Sequence, residues 1–319
     1  MKRAIYYLKK LIPILSAAFA LLLQVVLHNS EKQKEAERPY FTYFLILAVV
    51  IFLMLFVLSF RFKKLERKLV DAGPFYAGVL LFFNILNVIT AKLTLLPALF
   101  FPNIDRVLEV YVTDGALLVK CVLFSLKLLI IGFAWGGSIG LTTGLLLGFN
   151  KKVAYWLNPV TKVLGPMPTT AWTPLALSVF PATYDASVFL IAFAVWFPTA
   201  LMTSSGIWAT NNSYYEVSRT LGASTLYQVF KVGIPNAMPS IFMGVFYGTC
   251  SSFITLMVAE LMGSSCGIGW YVNHAKQMMV YSGVYAGLMI IAVMCTTILT
   301  LLFKMRDKLL IWQKGVIKW

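Results

Sequence analysis

Glu216-Val217-Ser218-Arg219-Thr220-Leu221-Gly222-Ala223, with Ile234-Pro235 a fixed distance beyond, is a polar island in a chain that is otherwise mostly apolar. A segment this polar lies outside a bilayer, where it meets a water-soluble partner or solvates a loop. Its local reading is helical. Asn211, Asn212 and Ser213 are good N-cap residues, and Glu216 then falls in the first turn, where the helix dipole favours a carboxylate. Residues 214–221 are expected to form one short helix. Gly222 ends it, because a left-handed C-terminal turn is least costly at glycine. Residues 224–232 are expected to form a second helix, with Leu226, Val229 and Phe230 spaced to bury one face. Pro235 and Pro239 then start the next long segment.

The surroundings of the island set the fold class. Hydrophobic residues make up 60% of the chain and charged residues 12%, and the mean hydropathy is +0.81. An average soluble domain carries about 25% charge, so the chain is predicted to be an all-α, polytopic transmembrane helical bundle. A helical span needs roughly 20 apolar residues. Candidate spans are 11–27, 41–60, 74–96, 117–149, 163–180, 186–207, 237–261 and 284–303, eight in all. The 117–149 run is too long for one crossing, so its first turns, carrying Lys120 and Lys127, are expected along an interface. The 163–180 run is short and broken by Pro166, Pro168 and Pro174.

Cytoplasmic loops collect Lys and Arg. With the N-terminus placed inside, most of the 27 basic residues fall on that side: Lys2, Arg3, Lys9 and Lys10, the 61–68 cluster, Lys151, Lys152, Lys162, Arg219, Lys231, and Lys304 to Lys318. Lys32, Lys34, Arg38, Lys92, Arg106 and Lys276 fall outside. Both termini and the Glu216 island of this multi-pass chain are therefore expected in the cytoplasm. The net charge of +15 is then a topology signal contacting anionic lipid, and no nucleic-acid partner is expected. The first apolar run is expected to be an uncleaved span, because no small-residue cleavage site follows it. Cys121, Cys250, Cys266 and Cys295 are scattered and read as buried small hydrophobes, with no disulfide framework or metal site.

Few residues offer chemistry. Gly136-Gly137-Ser138-Ile139-Gly140 matches G-x-S-x-G, the nucleophile elbow of many hydrolases. That elbow needs a strand-to-helix turn, and here the motif sits inside a long apolar helix. The better reading is the stripe Gly132, Gly136, Gly140, Gly144 and Gly148, which recurs every four residues and lets another helix approach one face closely. No G-x-x-x-x-G-K-[ST] sequence occurs, so any ATPase belongs to a separate polypeptide and the chain is not expected to be an enzyme. A stand-alone secondary transporter or channel, the alternative class, would need buried carboxylates. Glu260 alone qualifies, and its place near a helix end reads as interfacial. Asn84, Asn87, Trp135, Trp196 and Asn273 could line a path.

From Glu216 to Gly222 to Ile234-Pro235, the island resembles the coupling loop of ABC-importer permeases. Further stretches agree in order: Leu96-Pro97, Phe101-Pro102, Ser125-Leu126, Asn158-Pro159, Gly165-Pro166-Met167-Pro168, Trp172-Thr173-Pro174-Leu175, Phe197-Pro198, Ala259-Glu260, Gly267-Ile268-Gly269 and a basic tail with Trp312. Residues 95–315 are thus similar to inner-membrane permeases of the nitrate/sulfonate/taurine/bicarbonate type. The chain departs from that pattern at Val217 and Ser218, where the family has two small residues, and in the turn Pro181-Ala182-Thr183-Tyr184-Asp185.

The resemblance implies a type I permease core of about six spans, with two extra N-terminal spans. It divides the chain into an extension, 1–72, and a permease domain, 73–319, whose cytoplasmic coupling loop is 211–236. It implies two permease copies, ABC ATPase subunits that grip the loop, and an extracytoplasmic binding protein that delivers a small anion or a vitamin precursor. It assigns ATPase coupling to Glu216, Val217, Ser218, Gly222, Ala223, Leu226, Phe230 and Pro235, and implies no cofactor.

Overall fold

The computed structural model describes residues 2–31, 33, 36–165 and 167–311. The sequence readings at Lys32, Lys34, Pro166, Trp312, Lys314 and Lys318 lie outside the described residues. In chain order the helices are α1 (Lys2–Val26), α2 (Tyr40–Arg61), α3 (Lys63–Asn87), α4 (Ile104–Thr113), α5 (Gly115–Phe149), α6 (Lys151–Leu164), α7 (Thr173–Val179), α8 (Thr183–Trp208), α9 (Asn212–Thr220), α10 (Thr225–Tyr227), α11 (Ile234–Gly263), α12 (Ile268–Gln277) and α13 (Tyr281–Leu309). Wider π-helical turns follow α3 at Val88–Lys92 and α10 at Gln228–Gly233, and a 3₁₀ turn, Thr169–Trp172, precedes α7. No strand occurs among the described residues, as the all-α reading requires. Among the described residues seven helical runs are long and apolar enough to cross a bilayer.

The chain forms two compact units, Met1–Gly115 with Ala275–Ala286, and Ala116–His274 with Gly287–Trp319. Residue 72 lies inside α3, so a continuous helix joins the two parts expected from the sequence.

The first unit is built on three long helices running up, down and up. Ala17 packs with Ala48 and Leu80, and Ala20 with Phe41 and Leu45, which sets α1 and α2 antiparallel. Gly73 lies against the Lys9 carbonyl and Pro13, and the Asn87 amide donates to Gln24 Oε1 at 2.7 Å, so α3 runs parallel to α1. Lys10 is fully buried between them. Its ammonium sits 3.9 Å from the Phe60 ring centroid and 3.6 Å from Glu66, pairing a charge that would be costly alone. At the other end Asn103 caps α4 by accepting from Arg106 N. Buried Asp105 accepts from Phe41 N at 2.8 Å, tying α4 to the start of α2.

In the second unit α5 is one uninterrupted helix of 35 residues, about 52 Å at 1.5 Å per residue and longer than a hydrocarbon core of about 30 Å. Its glycine stripe lies along α8. A Cβ on Gly132 would meet Ile191 Cγ2 at 2.6 Å, on Gly140 Thr199 Cβ at 2.8 Å, on Gly144 Thr203 Cβ at 2.5 Å, and on Gly148 Ile207 Cδ1 at 2.6 Å; on Gly136 it would run into the Ala192 backbone. The partner numbers rise together, so α5 and α8 are parallel. Gly206 meets Ser240, Gly244 meets Met202, and Gly263 meets Thr183, so α11 runs antiparallel to α8.

That register corrects one expectation. The 163–180 stretch is not a single span: α6 ends at Leu164, and the chain resumes as the 3₁₀ turn and the seven-residue α7. Pro168 and Pro174 lack the N–H groups a continuous helix would use there. Yet parallel neighbours α5 and α8 require the chain between them to return along their length. It does so in pieces, which is why the apolar helices number one fewer than the predicted spans.

Candidate functional site

The polar island folds as a capped helical corner. Asn211 accepts from Ser213 N at 2.9 Å and starts α9. The helix ends in a Schellman turn: Ala223 N donates to Ser218 O at 3.0 Å and Gly222 N to Arg219 O at 2.9 Å, with Gly222 at φ +78°. Ser224 Oγ then accepts from Tyr227 N and caps α10. The chain continues through the π-helical turn directly into α11, whose second residue is Pro235.

The second helix differs from its sequence reading. In place of one α-helix over 224–232 there are three α-helical residues and a wide turn, and the face expected to be buried points outward. Leu226 is 71% and Phe230 61% exposed, while Gln228 and Gly233 face in. The reason is the inner wall. Tyr215 packs edge-on against Phe149 at the end of α5, with centroids 6.1 Å apart. Its carbonyl accepts from Ser218 Oγ at 2.8 Å and from the Gln228 amide at 3.4 Å. Phe149 and Tyr215 fill the space against Gly233, so no larger side chain fits there. Glu216, Val217, Arg219 and Leu221 are left on the outer surface, Leu221 at 82% exposure. Tyr215, Gln228 and Phe149 were not singled out in the sequence; their polar and aromatic character carried no spacing signal.

A second cluster corrects the reading of Glu260. It is not interfacial but 1% exposed. Its carboxylate accepts from Ser125 Oγ at 2.6 Å and from Gly269 N at 2.7 Å, while Ser125 Oγ accepts from Ile268 N at 2.9 Å. The first turn of α12 is thereby fastened to α5 and α11. Gly267, at φ +123°, turns the chain back onto the carboxylate, and a Cβ there would collide with it. Ala259-Glu260 and Gly267-Ile268-Gly269 are the sequence signal of this clasp. Beside it the free Cys121 and Cys266 thiols, far apart in sequence, share a weak hydrogen bond at 3.9 Å between sulfurs.

Ser138 is on the exposed face of mid-α5, so the strand-to-helix elbow of a hydrolase is absent there. Of the possible path-lining residues, Asn84 and Asn87 are buried within the first unit. Trp196 donates to Thr143 Oγ1 at 3.2 Å, and Asn273 to Leu261 O at 3.3 Å. Trp135 is exposed on α5. Among the described residues no cluster of His, Cys, Asp or Glu could hold a metal ion.

The fold is that of a polytopic membrane protein with an exposed polar loop between two long helices. A family model, binding-protein-dependent transport system inner membrane component, matches residues 136–310, and the chain belongs to that family. It is the membrane-spanning subunit of an ATP-driven ABC importer, a family whose ATPase is a separate subunit and whose solute comes from a binding protein. The aliphatic sulfonates transport permease SsuC of Bacillus subtilis is 34% identical over 58% of this chain and 67% of its own length. The nitrate import permease NrtB of Synechocystis is 28% identical over 53% of this chain and 62% of its own length. The taurine permease TauC of Escherichia coli is 27% identical over 64% and 76%. Among solved structures, an inward-facing MetNI methionine ABC transporter superposes with a TM-score of 0.52 at 16% identity, covering 62% of this chain and 98% of the other. That likeness describes the fold.

Proposed function

We propose that two copies of this chain form one translocation pathway for a small organic anion, and that an ATPase subunit grips each copy at residues 211–236. The observation that carries this is a capped, hydrogen-bonded loop with exposed apolar side chains. Leu221, Leu226 and Phe230 are all more than half exposed beside the exposed carboxylate of Glu216. An apolar patch of this kind, rimmed by polar residues, marks a protein-interaction site. Glu216 serves as the docking carboxylate, and Val217, Leu226 and Phe230 as apolar contacts. Ser218, Gly222 and Ala223 hold the corner, and Pro235 begins the helix that carries its motion away. ATP-driven closure of the ATPases draws two such loops together and tilts the attached spans.

The basic-residue pattern supports a cytoplasmic loop and cytoplasmic termini. Residues 1–72 act as an extension to the permease domain, 73–319. The names of SsuC and TauC support a sulfonate-class solute.

The test is affinity purification in mild detergent with assay of ATP-driven uptake. An ATPase should co-purify with the wild-type protein and be lost from Glu216→Lys and Gly222→Asp, with uptake lost and membrane levels unchanged. Retained ATPase and unchanged uptake in both variants would sink the assignment.

A further inference from the structure

The second unit holds a cavity of about 380 Å³, within the range of small-molecule sites of about 300–1,000 Å³. Its walls come from Phe193 and Phe197 of α8, Ser251 and Thr255 of α11, and Thr169 and Thr170 of the interrupted segment before α7. Phe197 stands near the middle of α8, and Gly248 of α11 meets Val195, so the cavity lies at mid-depth of these two helices. Irregular backbone at such depth is tolerated where it lines a cavity. Interrupted helices at mid-depth are also where transporters hold their substrates.

The hydroxyls of this cavity are uncommitted. Close by on α11, Thr249 Oγ1 donates to Val245 O at 2.8 Å and Ser252 Oγ to Thr249 O at 2.7 Å, as hydroxyls in apolar helices ordinarily do. Thr255 is 2% exposed, yet its hydroxyl has no partner among the described residues, and neither have those of Ser251, Thr169 and Thr170. These four residues line the cavity, so their hydroxyls are free to donate to whatever occupies it. A ligand rich in acceptor oxygens matches them.

The rest of the wall is aromatic. Phe193 stacks between Phe189 and Trp196, with centroids 6.1 and 5.7 Å away, and none of the described lining residues is charged. A bare inorganic anion would leave most of this volume unfilled against phenyl faces that carry negative potential. An amphiphile with an oxygen-bearing head and a short apolar tail satisfies both halves.

We propose that this cavity is a transit site for organic oxyanions with a short aliphatic tail. Ser251 and Thr255 donate to the head, and Phe193 and Phe197 take the tail. The inference rests on the importer reading and deepens it, naming the residues that select an organosulfonate over inorganic oxyanions. With no opposing charge the site binds weakly, which lets the substrate leave.

The test is ATP-dependent uptake of radiolabelled pentanesulfonate and of nitrate by proteoliposomes holding the permease with its ATPase and binding protein. Pentanesulfonate should enter, and nitrate at less than about a tenth of that rate. Thr255→Val should slow pentanesulfonate about tenfold, the scale of one lost hydrogen bond to a charged group. Thr255→Ser should restore uptake, and Ser251→Ala should slow it severalfold. ATP-driven uptake indifferent to Thr255→Val, a serine variant as slow as the valine one, or nitrate carried equally well would each overturn the cavity assignment and leave the importer reading standing. Failure of both probes to enter in an ATP-dependent way would overturn the cavity assignment together with the sulfonate-class solute on which it rests.

Discussion

Replacing Glu260 tests how the clasp is held. The carboxylate accepts two hydrogen bonds, from Ser125 Oγ and Gly269 N, and Ser125 in turn accepts from Ile268 N. Glu260→Ala removes both acceptors, leaves the buried Gly269 N–H unpaired and opens a void. At roughly 1–3 kcal/mol for each buried group left without a partner, plus the void, the expected loss is about 3–5 kcal/mol. Glu260→Gln keeps the shape and one acceptor oxygen for Gly269 N, and its amide can donate to Ser125 Oγ. Its expected cost is about 1 kcal/mol. Ser125→Ala strands Ile268 N and falls between the two. Because the three groups form one connected network, Glu260→Ala and Ser125→Ala together should cost at least about 1 kcal/mol less than the sum of the singles. Equilibrium unfolding in mixed micelles measures all four proteins. Equal losses for the alanine and glutamine variants, or strict additivity in the double variant, would refute the network.

Three further outcomes are expected. Gly136→Ala drives a methyl group into the Ala192 backbone, whereas the neighbouring Gly137→Ala meets only the Phe133 ring edge at 3.9 Å. Thermal unfolding should show the first destabilised by about 1–3 kcal/mol and the second unchanged or stabilised by about 0.5–1 kcal/mol. Gly222→Val has open space for its side chain but is forced to φ +78°, so helix-corner stability should fall by about 1–2 kcal/mol, read as faster amide exchange over 218–227. Burial pushes the Asp105 carboxyl above its ordinary value, with the Phe41 N–H and Lys92 partly offsetting the shift. Below that raised value the folded state holds more protons than the unfolded state. Stability should therefore rise as pH falls from neutrality toward the ordinary carboxylate range, and be lost as pH climbs back through the folded value. Asp105→Asn should abolish this slope in a wild-type-minus-variant comparison of unfolding against pH.

The helical class, the long apolar segments and the polar corner were legible because each has its own local signature. These are length and hydropathy for the spans, an Asn cap and a helix-ending glycine for the corner, and a four-residue repeat for the stripe on α5. The segment between α6 and α7 was read as a span because its hydropathy is that of one; only the parallel register of α5 and α8 shows that it returns in pieces. Glu260 was misread for a related reason. A carboxylate near a helix end looks interfacial until the Gly267 turn brings two N–H groups of the next helix back toward it, and such a return is invisible to local spacing. Leu226 and Phe230 were expected to face inward on periodicity alone. Tyr215 and Phe149, from distant parts of the chain, had already filled the inner side.

The continuity of the corner with its flanking helices says what it can transmit. α9 follows α8 after three residues, and the π-helical turn passes into α11 without a break. α8 and α11 are packed antiparallel along nearly their full lengths, through contacts as close as Gly206 on Ser240 and Gly263 on Thr183. A force applied at Leu221 or Leu226 therefore reaches both helices together, and backbone-to-side-chain contacts this close leave little slack between them. The break in the helices of this unit is the interrupted segment that lines the mid-depth cavity, where Pro168 and Pro174 lack N–H donors. In the proposed importer reading, a displacement delivered by the α8–α11 pair reaches the cavity directly, because Phe193 and Phe197 of α8 and Ser251 and Thr255 of α11 are its walls.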